Sequence, residues 1–283
     1  MDSGSTDATL AIASRFPVKI VEVKPEDFSF GFALNIGCRE ASGEVLVFAS
    51  AHVYPVYEDW LEQLAKPFSS ENVGLVYGKQ SGNEITKYAE QQVFAHWFPE
   101  ESDWDQENSF CNNANAAITR ELWELHPYDE ELTGLEDVAW GKKIKSLGYK
   151  IAYNSSAEVI HVHDESHRKV FMRYQREALA LKKISPEAHF NLVDFIRFFS
   201  ANVFSDWVHA AKDNVLFRNI IDIVVFRLMQ FSGTYRGFAK HAAITSNLKR
   251  KFYYPKSVRK IVKSDEDDNN RRPLTYSKFG DTS

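Results

Sequence analysis

Asp2-Ser3-Gly4-Ser5-Thr6-Asp7 stands directly before Ala8-Thr9-Leu10-Ala11-Ile12-Ala13, and this junction decides how the chain is read. The first segment is rich in side chains whose oxygens accept from the unpaired N–H groups of a first helical turn. The second has the composition of a helix start. A turn entering a helix from a strand offers N–H groups and a positive dipole end to anions such as phosphates. No strand precedes it in this sequence, so the expectation is an α/β domain incomplete at its N-terminus.

Outward from that turn, short β-like runs alternate with helical patterns up to about residue 164, the pattern of an α/β layered domain. Val18 to Val23 reads as a strand. Glu44 to Ser50 is nearly continuous in apolar residues, as expected of a strand covered on both faces. Val73 to Tyr77, Lys150 to Tyr153 and Ala157 to His163 are further strands. Helices are predicted over Asp59 to Leu64, Ile85 to Trp97, Arg120 to Leu125 and Glu136 to Leu147. Beyond residue 164 the texture turns helical, with patterns over His167 to Ile184, Phe190 to His209 and Val215 to Phe231. From Ser264 the chain is too polar to build a core and is expected to be disordered.

Bulk properties narrow the function. A net charge of −5 gives no basic face for general nucleic-acid binding. Two cysteines, Cys38 and Cys111, make no disulfide framework, which favours a reducing compartment. The first residues are acidic and polar, unlike a secretory leader. The most apolar stretch, Val215 to Phe231, is interrupted by Arg218, Asp222 and Arg227, so no spanning helix is expected.

Four constellations could carry chemistry. Ser50-Ala51-His52 emerges at the end of the most buried-looking strand, where open sheets bind ligands; a loop histidine without a task would look the same. Gly134-Leu135-Glu136-Asp137 sets paired carboxylates at a loop-to-helix junction, suited to general-base work, or simply to an acidic first turn. His161-Val162-His163 alternates along a strand, which puts both imidazoles on one face for a divalent metal or for a hydrogen-bonded pair. Asn112-Asn113-Ala114-Asn115 brings amides and small residues to a polar ligand, or to a turn; Tyr77-Gly78-Lys79-Gln80 is similar.

Taken in order, these segments resemble family 2 glycosyltransferases of the GT-A fold, over roughly residues 2 to 180. The likeness is carried by Asp2 to Asp7, by Asn35-Ile36-Gly37 with Ala41-Ser42-Gly43-Glu44, and by Trp60-Leu61 after Pro55. Asn113 to Ile118 with Arg120, Gly134 to Asp137 with Trp140, Gly148-Tyr149 and His161-Val162-His163 complete it. Bacterial polysaccharide and lipopolysaccharide enzymes, including rhamnosyltransferase-like ones, are the nearest in kind. The resemblance implies a Rossmann-like mixed sheet with flanking helices over residues 1–165, a helical appendage over 166–262 and a polar tail over 263–283.

It also implies an inverting enzyme that moves a sugar from a nucleotide-sugar donor to a hydroxyl of a glycan or lipid-linked acceptor. Asp137 is the implied base, with Glu136 in support. Asp2, Ser3, Asp7, Asn35, Ser50, His52 and Asn115 are the implied nucleotide-sugar contacts, and Gln80 and Trp140 the acceptor contacts. The family's Asp-x-Asp metal motif usually falls where Ser50-Ala51-His52 stands. A Mg2+ or Mn2+ site here would therefore draw on His52, His161 and His163, or the chain would work without metal through His+ and N–H groups.

Two other readings differ in class: a non-catalytic remnant that binds glycan or a partner chain, and a metal-dependent hydrolase built on His161 and His163. The apolar helices after residue 190 suit packing on the catalytic domain. They also suit peripheral contact with the inner face of the cytoplasmic membrane, helped by Lys249, Arg250, Lys251, Lys256, Arg259 and Lys260.

Overall fold

β3 (Val73–Ser81) is the central strand of a five-stranded mixed sheet and is buried along most of its length; its first half, Val73 to Tyr77, is the strand expected from the sequence. The computed structural model describes residues 1–239 and Leu274. The strand order is β1 (Val45–Ala49), β4 (Asn115–Thr119), β3, β5 (Lys150–His161), β2 (Val53–Pro55). Only β3 and β5 pair in parallel; β1 with β4, β4 with β3, and β2 with β5 are antiparallel.

Period-two alternation divides the core between the two faces. Ala116, Ile118, Ile151 and Tyr153 point to one side, with Cys38, Trp123, Trp140 and Ile144 from helices α2 (Phe30–Glu40), α5 (Arg120–Leu125) and α6 (Glu136–Ser146). Ala117, Ala152 and Ala157 point to the other, against Leu64 of α3 (Trp60–Ala65). A five-residue α1 (Thr9–Ala13) follows the N-terminal turn. α4 (Tyr88–Trp97) bridges to the helical region of α7 (His167–Ile184), α8 (Leu192–Lys212) and α9 (Leu216–Ala239), through Tyr88, Ala89, Val170, Ala210, Ile223 and Phe226.

Several sequence expectations change. Val18 to Val23 forms no strand; only an isolated parallel bridge joins Asp2 and Glu22. β1 is an edge strand rather than a doubly covered one, with Val47 40% exposed. Lys150 to Tyr153 and Ala157 to His163 are one strand, β5, interrupted by a bulge where its register with β3 shifts between Gly78 and Gln80. α2, β2 and β4 had no counterpart among the expected elements. The expected tail over 263–283 and the basic residues from Lys249 to Lys260 lie outside the described residues.

Gly78 has a specific task at the bulge. A Cβ there would meet the carbonyl oxygen of Ala157 at 2.1 Å and Asn115 Nδ2 at 2.4 Å, so only glycine permits this approach. Asn115 uses the space to donate from Nδ2 to Lys79 O at 3.1 Å and Ala157 O at 2.7 Å, tying β4 to the bulge.

Candidate active site

β5 ends at His161, and the antiparallel pairing of Val53 with His161 brings His52 beside it. Val162 then donates its N–H to His52 O at 2.9 Å, and His163 follows on the same face as His161. The rings converge: centroids are 4.7 Å apart for His52 and His161, and 4.1 Å for His161 and His163. Phe94 from α4 packs against the His161 and His163 rings.

The outer nitrogens are taken. His161 Nδ1 lies 2.7 Å from Gln80 Oε1, and His163 Nδ1 lies 2.7 Å from Glu90 Oε1. Gln80 donates through Nε2 to Asn112 Oδ1 at 3.1 Å, which leaves its carbonyl oxygen to accept from His161. Glu90 is a carboxylate and can only accept when ionised, so His163 Nδ1 is the donor there. Both Nε2 atoms then face each other at 3.0 Å with their lone pairs toward a shared point that suits a proton or a cation. Two ligands at about 2.1 Å from a metal, at right angles, would stand about 3.0 Å apart. All three histidines offer nitrogens within 4.8 Å of one another, so the set fits a divalent cation.

Electrostatics agree with that use. Burial first, and the neighbouring imidazoles second, push His161 far below the ordinary imidazole value and leave it neutral. Burial of the His52 ring against its neighbours, followed by the adjacent His163 imidazole, lowers it to about 4, although the residue as a whole stands at the rim. Burial alone would raise Glu90, but the His163 hydrogen bond and the Arg173 charge outweigh it and keep the carboxyl low. Arg173 on α7 contacts Glu90 and donates to Glu165 Oε2 at 2.8 Å.

The second group is the carboxylate pair opening α6. Leu135, just before it, adopts left-handed φ 55°, an uncommon backbone for a branched side chain. Glu136 and Asp137 are both buried. Asp137 Oδ2 accepts from Asn113 N–H at 3.1 Å and Oδ1 from Val138 N–H at 2.8 Å. Burial raises Asp137 to about 6; burial and then the Asp137 charge raise Glu136 to about 8. Near neutral pH the two carboxyls, both raised by burial, share one proton and one negative charge as a pair.

Two connections bring the groups together. Consecutive asparagines serve both: Asn112 holds Gln80, which holds His161, while Asn113 holds Asp137. Along α7, Arg173 stands at the histidines, and Arg176 and Glu177, one turn on, act on Glu136. Among the described residues, Asn113 Nδ2 and Arg176 Nε are buried there without a hydrogen-bond partner.

Other expected contacts are placed differently. Asn35 is buried on α2, donates to Tyr128 O and Glu130 Oε1, and accepts from Trp123 Nε1 and Tyr128 N–H, so it braces the fold rather than a nucleotide. Asn115 accepts from Trp60 Nε1 and holds the bulge. Trp140 is buried in the core with Nε1 donating to His126 O, and Gln80 is buried behind His161, so neither reaches an acceptor directly. Asp2 accepts from the N–H groups of Gly4 and Ser5, and Asp7 from that of Thr9; Ser3 is part of the same turn. Ser50 donates its N–H to Ala114 O at the end of β1. Glu90 and Arg173 lie outside the sequence-predicted constellations, whereas Asn112 and Asn113 belong to the predicted amide cluster; Glu90 is 73 positions from His163, and no local pattern announces so distant a contact.

Residues 1–125 match the model of glycosyl transferase family 2; Glu136 and Asp137 follow the matched segment. The O-antigen chain rhamnosyltransferase WbaN of Salmonella anatum is 29% identical over 185 residues, 62% of this chain and 59% of its own. RfbN of Salmonella typhimurium, another O-antigen chain rhamnosyltransferase, is 27% identical over 186 residues with the same coverage. The match thus spans 59% of the length of these curated relatives. Mannosyltransferase PcManGT from Pyrobaculum calidifontis, solved in complex with GDP-Man and Mn2+, shares the fold at TM-score 0.51 and 19% identity, over 90% of this chain and 77% of that one. The chain is thus similar to glycosyl transferase family 2 over residues 1–125 and to O-antigen chain rhamnosyltransferases over 62% of its length, and its mixed sheet with flanking helices shares the fold of PcManGT.

Proposed function

We propose that the chain transfers a sugar from a nucleotide-sugar to a hydroxyl of a cell-surface polysaccharide precursor, with inversion at the anomeric carbon. The observation that carries this reading is Asp137, a buried carboxylate ionised near neutral pH and linked through Asn113 and Asn112 to the histidine group. Asp137 takes the proton of the acceptor hydroxyl. The acceptor oxygen bonds to the anomeric carbon as the carbon–oxygen bond to phosphate breaks, and that electron pair leaves with the nucleoside diphosphate. Glu136 shares one proton with it, so the pair carries a single negative charge. His52, His161 and His163 would hold a divalent cation, which supplies positive charge to the leaving diphosphate. Asp2, Ser3, Asp7 and Ser50 remain the nucleotide-side residues of this reading. Asp137→Asn tested with a panel of UDP-, dTDP- and GDP-sugars decides it: full retained transfer would remove the base.

Lipid-linked acceptors suit the helical region. Val193, Ile196 and Phe204 on α8, and Phe217 and Ile221 on α9, are large apolar side chains left exposed, which supports peripheral contact with a bilayer. Among the described residues no helix is long and apolar enough to cross a membrane.

A further inference from the structure

We propose that Glu90 and Gln80 are positioning residues that make the three-histidine group selective for nitrogen-preferring divalent cations, Co2+ and Zn2+, over Mg2+. The inference rests on the metal reading given above and adds which cation the site takes and which side chains decide it.

The argument begins with what the imidazoles are asked to do. An imidazole can present Nε2 as a ligand only while its proton stays on Nδ1, and that requires an acceptor at Nδ1. Gln80 Oε1 and Glu90 Oε1 are those acceptors, each at 2.7 Å. Both supports are buried, 2% exposed in each case, so water does not compete for the Nδ1 protons. The Glu90 carboxylate also polarises its imidazole toward greater basicity, which an amide such as Gln80 does less.

Glu90 is itself fixed. Arg173 contacts Oε1 and is anchored in turn by Glu165, an ion-pair chain that holds the carboxylate in place behind His163. Its second oxygen, Oε2, is buried with no hydrogen-bond partner among the described residues. Because Oε1 accepts from His163, Glu90 acts through that ring.

Ligand chemistry then selects the cation. Mg2+ demands oxygen ligands in near-ideal octahedral geometry and gives up water reluctantly, whereas imidazole suits later first-row ions. His52, His161 and His163 present three nitrogens within 4.8 Å of one another. In the first-row series, affinity for such a set rises from Mn2+ through Co2+. Expected is binding of Co2+ at least 100-fold tighter than binding of Mg2+.

Titration of the purified full chain with Co2+ alone tests this, read by the visible absorption of cobalt on nitrogen ligands and by competition with Mg2+ and Zn2+. Glu90→Gln should lower Co2+ affinity by roughly 10- to 100-fold, the usual range for a lost outer partner. In Glu90→Ala, which removes the acceptor altogether, nitrogen-15 histidine signals should show His163 losing its fixed tautomer, which a merely structural role would not produce. Gln80→Ala, which leaves the Glu90–Arg173 ion pair intact, should lower Co2+ affinity about tenfold and serves if Glu90→Gln fails to fold. Mg2+ competing on equal terms, or Co2+ affinity unchanged in the folded variants, overturns this inference and leaves the metal reading standing. No cobalt signal in the wild-type chain overturns the metal reading itself.

Discussion

Asn113 donates its backbone N–H to Asp137 Oδ2 at 3.1 Å, and this bond ties the loop before β4 to the first turn of α6. The neighbouring Asn112 holds Gln80 behind His161. A carboxylate and a histidine group that are distant in sequence are therefore positioned by two adjacent residues.

Asp137→Asn preserves shape and one of the two backbone N–H contacts, from Asn113 or from Val138, while removing the base. The expected loss in kcat is about 10²- to 10⁴-fold, the range for general-base groups, with donor affinity within twofold of wild type. Calorimetric donor binding alongside turnover separates the two effects. A variant that lost donor binding equally would place Asp137 in the binding site instead.

The pair also dictates a pH response. Asp137, raised to about 6, must lose its proton to act, so kcat/KM should rise through about pH 6. Glu136, raised to about 8, holds more protons folded than unfolded between its ordinary value of 4.5 and 8. Its contribution to stability is therefore full at low pH and lost as pH rises toward 8. His52 acts in the opposite sense but only below its ordinary 6.5, because its folded value is lowered to about 4. Denaturant unfolding between pH 6.5 and 8 should thus show stability falling in the wild type and a flatter profile in Glu136→Gln.

Asn35 distinguishes bracing from nucleotide contact. Its four hydrogen bonds reach Trp123, Tyr128 and Glu130, and each is worth about 1 kcal/mol net, with further cost for buried groups left unpaired. Asn35→Ala should destabilise by about 3 kcal/mol in urea while leaving nucleotide-sugar affinity within twofold. Affinity falling tenfold at unchanged stability would restore Asn35 to the ligand.

What the sequence made legible follows from locality. α5, α6 and α7 matched their expected spans closely because helical periodicity and the flanking turn residues are local signals. β4 escaped because Asn115-Ala116-Ala117 has low strand propensity; pairing on both sides makes it a strand. α2 escaped because Gly31, Asn35 and Gly37 interrupt its apolar stripe; Gly31 is required by its close approach to the Asp129 backbone, and Asn35 serves its hydrogen bonds to Tyr128, Trp123 and Glu130. The two-residue spacing of His161 and His163 correctly put both rings on one face. It carried no trace of Glu90, which α4 delivers from a distant part of the chain.

Arg227 tests how the helical region is held. It is 4% exposed, and its guanidinium grips Asp206 through two bonds of 2.7 and 2.9 Å while reaching Ala89 O on α4. Arg227→Met leaves Asp206 charged and buried, at a cost of about 3–5 kcal/mol. The double variant with Asp206→Leu should recover most of that loss, since removing both charges removes the desolvation penalty. Urea midpoints of the three chains measure it. A single variant as stable as wild type would mean that the pair is solvated.

Phe217 and Ile221, one helical turn apart on α9, are 95% and 74% exposed, an arrangement water disfavours. Inserting them into the acyl boundary of a bilayer would bury both, and full burial of each such side chain is worth about 1.5–3 kcal/mol. Partial insertion of the pair still implies at least about a tenfold change in partitioning. Flotation with phosphatidylglycerol-containing vesicles should therefore carry wild-type chain and leave Phe217→Asp/Ile221→Asp at least tenfold depleted. Both positions already face solvent, so the double variant should unfold at the wild-type urea midpoint. Equal flotation of the two chains would show that this apolar face does not contact lipid, and acceptors would then have to reach Asp137 without a docked membrane.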